Sequence, residues 1–221
     1  QSSGHYEKEG KEFYTGETPS QRIIRAGYPS TFVMENISVN TAGEVEAVDN
    51  LFSAIYHRFV FLNFDKDEIG IGFASSGKKR NIKSVYVYNL SSSYISKLCQ
   101  RSFTMTHGVY YMKNICRQSS KMVPMALVGE QKNIIQRQNR DIILYPYVDQ
   151  SNIWPAFYNE APDPLPDYKV SGFPVSVQFN PSYYQSVRLR SFRLYDESGQ
   201  EIEGVRVLQH SNDPNHLLTE L

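Results

Sequence analysis

The stretch from Gly27 to Ala74 constrains this chain most, because it calls for a buried-face helix and short strands in one small unit. Val45, Val48, Leu51, Phe52, Ile55 and Phe59 recur at three- and four-residue steps, the seam of a helix buried along one side. Thr41 precedes the seam as a candidate N-cap, with Glu44 at the capping-box spacing. If unbroken, the helix puts Glu46, Asn50, Ser53 and His57 on its opposite face; a break near Ala54 gives His57 to a new turn instead. Upstream, Phe32, Val33 and Met34 run straight into Glu35-Asn36. Downstream, residues 59–64 read as a turn and Glu68-Ile-Gly-Ile-Gly-Phe-Ala as a strand, with Gly70 and Gly72 on one face, where close approach by another backbone is expected. Glu35 and His57 lie on different elements, the usual way of assembling a cleft, and are candidate site residues.

The flanks follow the same logic. Thr18 is placed to N-cap a short helix with Pro19 at its first position, Ile23 and Ile24 as its apolar face and Gly27 as its end. His5 lies in a polar segment without hydrophobic period and reads, on the residues alone, as a solvated loop residue. Gly-Ile-Gly lacks a third glycine and a following helix, which excludes a dinucleotide loop. Residues 75–80 read as a basic turn, and Lys83-Ser-Val-Tyr-Val-Tyr-Asn as the hairpin partner of the preceding strand.

With 221 residues the chain has room for two modest domains. Its 23 basic and 23 acidic residues balance, so no nucleic-acid partner is expected. No run approaches the roughly 20 apolar residues of a transmembrane helix. No basic-then-apolar leader is visible, so any signal peptide is expected to have been removed or left out. Sixteen Tyr against twelve Phe and one Trp tilt the composition toward half-buried strands and binding surfaces.

Cys99 and Cys116 bracket a polar loop. The even count and the absence of CxxC or His-rich metal spacing favour a disulfide over two reduced thiols. A bridge of that loop length is worth about 3 kcal/mol in the chain-entropy model and points outside the cytoplasm. Residues 93–142 read as a connector stapled by this bridge, with short helical pieces and an exposed His107. From residue 143 a proline-dense stretch leads to alternating runs at Val175-Ser-Val-Gln-Phe, Val187-Arg-Leu-Arg-Ser-Phe-Arg-Leu-Tyr and Glu201-Ile-Glu-Gly-Val-Arg-Val-Leu, which predict a β-sandwich over 143–221.

The pieces Gly-His5-Tyr-Glu-Lys-Glu-Gly, the helix from Thr18 to Tyr28, Met34-Glu-Asn-Ile-Ser, the Tyr56-His-Arg helix end and Asp67-Glu-Ile-Gly-Ile-Gly-Phe-Ala occur in an order and spacing that resemble the bacterial branch of the CAP superfamily (cysteine-rich secretory proteins, antigen 5 and pathogenesis-related proteins). Residues 160–180 resemble the Ig-like extension of some bacterial members. The resemblance covers residues 5–74 and implies an α+β chain: an α-β-α sandwich over 1–92, apparently lacking its first helix, then a truncated Ig-like β-sandwich. It also implies a cleft formed by His5, Glu35 and His57; by donor type alone, two imidazoles and a carboxylate are in turn candidate ligands of a metal such as zinc. The chain departs from the family pattern at Leu51, where Trp is usual, and at Ala54-Ile55-Tyr56, in place of Ser-Pro-Gly. The second acid of the eukaryotic site has no counterpart in the short helix. His-Leu-Leu-Thr-Glu-Leu stops as though a strand were to follow, so a piece of a longer protein is expected.

Two functions follow as expectations. The first is a non-enzymatic, extracytoplasmic binding or assembly module of the bacterial cell envelope, with other envelope proteins or a glycan or lipid as partner. The second is a metal-dependent hydrolase of peptide or cell-wall material using the His/Glu cleft, since two imidazoles and a carboxylate leave zinc an open position for water.

Overall fold

A computed structural model describes residues 4–76, 82–158 and 160–218. The chain is mixed α and β, and its contacts divide it into two units, Gln1–Arg140 and Asp141–Leu221. Among the described residues no helix is long and apolar enough to cross a membrane.

In the first unit, α1 (Pro19–Arg25) starts as its cap predicts. Thr18 Oγ1 accepts from Gln21 N, and Gln21 Oε1 accepts from Thr18 N, each at 3.2 Å. The helix stops in a Schellman turn, with Tyr28 N on Ile23 O and Gly27 N on Ile24 O, and Gly27 at φ +100°. β1 (Val33–Val39) follows, then α2 (Glu44–Ser53) and α3 (Ile55–Phe61). β2 (Glu68–Ser75) and β3 (Ser84–Ser91) form the expected hairpin pair, in a three-stranded antiparallel sheet of order β1-β3-β2. The expected basic turn falls largely on residues 77–80, outside the described residues.

Several expectations for this region are corrected. Thr41 does not cap α2: Gly43 is the N-cap, and Glu46 Oε2 accepts from Ala42 N at 2.5 Å. Of the two courses left open for the helix, the break at Ala54 is the one taken: its ψ of 118° turns the chain, so His57 belongs to α3 and the four-residue polar face does not form. Leu51, Ala54 and Ile55 are buried, but Val45 is 69% exposed. Residues 59–61 are helical rather than a turn. Gly70 and Gly72 meet no closely packed backbone, since a Cβ would stand 3.9 Å from Asn89 O and 4.0 Å from Val87 Cβ respectively.

Helices pack on both faces of the sheet. Leu51 of α2 packs with Tyr88 and Leu90 on one face, flanked by Val48, Val60 and Phe61. Arg22 of α1 reaches Glu35 on the other. Residues 93–140, expected as a connector, lie in the first unit and build a core of their own. Here α4 (Ser93–Gln100) packs against α5 (Met125–Gln138), with β4 (Tyr111–Met112) and β5 (Val123–Pro124) between them in sequence. Ile95, Leu98, Val123 and Val128 bury the Cys99–Cys116 disulfide, which forms as expected. Lys132 Nζ lies 2.9 Å from Asp65 Oδ2, and Gln136 donates to Asp65 Oδ1, tying α5 to the loop before β2.

The second unit holds β6 (Ile142–Tyr145) paired with β9 (Ser176–Phe179), and β7 (Ala156–Phe157) paired with β8 (Ser171–Gly172). The strands expected at 187–195 and 201–208 do not form a ladder. One bridge joins Tyr195 to Glu201 around a turn in which Asp196 Oδ1 accepts from Ser198 N, Ser198 Oγ and Gln200 N. These bonds hold the Asp196 carboxyl below its ordinary pKa. Alternation alone did not make strands here: Leu189 and Ile202 are exposed, so their apolar face finds nothing to bury against.

Candidate functional site

β1 presents Glu35 to the α1 side of the sheet, directly opposite Asn89 of β3. The pleat sends the next residue, Asn36, to the other face. There its Nδ2 donates to His57 O at 2.8 Å. The acid and the amide of the Glu-Asn pair therefore serve opposite faces.

The Glu35 side chain is 1% exposed. Arg22 Nη2 donates to both of its oxygens, at 2.7 Å to Oε1 and 2.8 Å to Oε2. His5 Nδ1 lies 3.0 Å from Oε1. Against an ionised carboxylate, which only accepts, this contact is a hydrogen bond in the tautomer protonated at Nδ1. The other terminal nitrogen, Arg22 Nη1, donates to His5 O at 3.0 Å and Glu17 O at 3.2 Å. Glu7 Oε1 lies 3.8 Å from Arg22 Nε, and Glu7 Oε2 accepts from Thr15 N at 2.9 Å. Together these contacts fold residues 5–17 around one guanidinium. Gly16 is required there: a Cβ would lie 2.7 Å from Gln21 Cβ.

The structure thus brings His5 and Glu35 together. It links His57 to the motif by its backbone carbonyl. Among the described residues no three His, Cys, Asp or Glu side chains gather as a metal-holding group. The expected ligand set of His5, Glu35 and His57 is therefore not gathered as a group of three, and Glu35 meets Arg22 with both oxygens. Arg58, neighbour to His57, is fully buried, and its Nε donates to Phe52 O at 2.6 Å, bracing the break between α2 and α3.

Arg22 is the residue that sequence reasoning missed. Its one signal was its place one residue past the capping box, on a helix read only for its apolar Ile23 and Ile24. Lys66 was missed too. Its Nζ lies 3.3 Å over the Phe32 ring centroid, and burial pushes its pKa down to about 8, against the pull of Asp65 and Asp67. Tyr28 donates to Glu68, and burial first, then that bond, raises its pKa. An open groove of about 630 Å³ lies beside the disulfide, lined by Gly27, Pro29, Cys99, Gln100, Arg117 and Gln118.

The arrangement can hold a loop and present a half-exposed imidazole. Its carboxylate is paired with a guanidinium through both oxygens. No family model matches the chain, and no curated protein or solved structure matches it either.

Proposed function

We propose that this chain is an extracytoplasmic binding or assembly module of the bacterial cell envelope. In this reading a CAP-like α-β-α sandwich is followed by an Ig-like β-sandwich, and the His/Glu cleft has a structural use. The motif order across residues 5–74 supports the first part, as do helices on both faces of the β1-β3-β2 sheet. The disulfide fits an oxidising compartment. Exposed Tyr147, Trp154, Tyr158 and Tyr168 suit the second unit to contact with an envelope protein, glycan or lipid.

The observation that carries the reading is the double contact of Arg22 Nη2 with Glu35, which takes away the carboxylate a hydrolase would use. Two measurements test it. Release of amino groups from peptide and cell-wall substrates in the presence of zinc should stay at blank; turnover that falls in His57→Ala would establish the hydrolase instead. Isolated envelope material should retain the chain, less so after Trp154→Ala. No retention refutes the module.

A further inference from the structure

The donor types of the His/Glu cleft make it a candidate site for a divalent cation, and the residues present do not fit one. Arg22 Nη2 lies 2.7 and 2.8 Å from the two Glu35 oxygens, and His5 Nδ1 shares Oε1 at 3.0 Å. A zinc ion bound at its usual ~2.0–2.2 Å from either oxygen would stand less than about 5 Å from the guanidinium, where like charges repel strongly at reduced dielectric. His5 Nδ1 faces the same carboxylate oxygen, so that nitrogen is occupied by Glu35.

We infer that Arg22 is the built-in cation of this cleft: its guanidinium stands where a divalent metal would bind Glu35, and it closes the site to metal. This inference rests on the structural use of the cleft proposed above and adds the residue responsible. Arg22 has what a substitute for the metal needs. It is a permanent positive charge held between two acids, Glu35 and Glu7. Its side chain is only 16% exposed. It also does what a metal bound by side chains alone does not, since Nη1 holds the carbonyls of His5 and Glu17 and so the entry loop. Arg22 is a positioning residue, and its charge sets what the cleft admits.

Zinc chloride is titrated into the chelator-treated full chain as wild type, His5→Ala, Arg22→Gln and Arg22→Gln/His5→Ala, followed by calorimetry and by thermal melts at 222 nm. The wild-type isotherm and melting temperature should match those of His5→Ala in their indifference to zinc at this site. Arg22→Gln should gain a site about tenfold or more tighter than any in wild type, with a zinc-dependent rise in melting temperature that the double variant loses. If Arg22→Gln is unfolded without metal, zinc should restore its helical signal, and no recovery overturns the inference. A folded Arg22→Gln that takes up no zinc overturns it as well. Zinc binding by wild type that His5→Ala weakens about tenfold overturns it whatever the variants do. Such binding without turnover would leave the module standing, whereas turnover would remove both.

Discussion

Replacing Arg22 by Met keeps most of the alkyl stem and deletes the charge. Glu35, 1% exposed, would be left as a buried carboxylate with only His5 beside it. Removing one partner of a buried ion pair costs about 3–5 kcal/mol. The bonds from Arg22 Nη1 to the carbonyls of His5 and Glu17 go with it. Those carbonyls lie nearer the surface and can turn to water, so the upper end of that range already covers their loss. Replacing both partners, as Arg22→Met/Glu35→Leu, should recover most of the cost, because an apolar pair needs no compensating charge. The double-mutant cycle should then give a coupling of about 2–3 kcal/mol. The probe matters. The only Trp, Trp154, lies in the second unit, while α1 to α5 all lie in the first. Urea unfolding should therefore be followed by circular dichroism at 222 nm rather than by fluorescence. A single-variant loss under about 1 kcal/mol, or an additive cycle, would place Glu35 in solvent-like surroundings and refute the reasoning.

Other expectations follow from the same geometry. Gly16→Ala drives a methyl into Gln21 Cβ and should destabilise the first unit by about 1–3 kcal/mol in the same urea assay; no change would mean that the 5–17 loop does not pack on α1. Leu51→Ala should cost about 2–5 kcal/mol, whereas Val45→Lys should stay within about 0.5 kcal/mol; equal costs would contradict the burial of the Ala47–Leu51 face of α2 and the exposure of Val45. Reduction, or Cys99→Ser/Cys116→Ser, should remove about 3 kcal/mol from the first unit, read as a lower melting temperature at 222 nm. Lys66 has a folded pKa of about 8, depressed from its ordinary 10.5, so the unfolded chain binds more protons between those values. Stability from this group therefore rises as pH climbs from about 8 to 10.5 and is flat outside that window. Lys66→Met should flatten the slope, and an unchanged slope would show that the amine titrates normally.

Much of the first unit was legible from local signals, because those signals act over a few residues. Thr18, Pro19, Gln21 and Gly27 define α1 by capping and handedness, and the two runs around residues 68 and 86 form the hairpin that their alternation requires. The cysteine pair was readable from count and spacing. The second unit was less legible. The alternation of Val187–Tyr195 is a local pattern, yet a strand exists only where a neighbouring strand accepts its hydrogen bonds, and here one bridge is all that forms.

The site divides in the same way. Sequence by itself determined that an acid would follow a short apolar run on β1 and that an imidazole would end the helical stretch. It also determined that His5 would stand upstream of both. Tertiary structure decided what the acid does. The pleat of β1 sent Glu35 toward α1 and Asn36 toward α3, and the turn at Ala54 tied His57 to Asn36 by its carbonyl. The helical phase of α1 aimed Arg22 at the carboxylate. A buried charge takes the nearest counter-charge that geometry offers, and sequence spacing does not report which one that is.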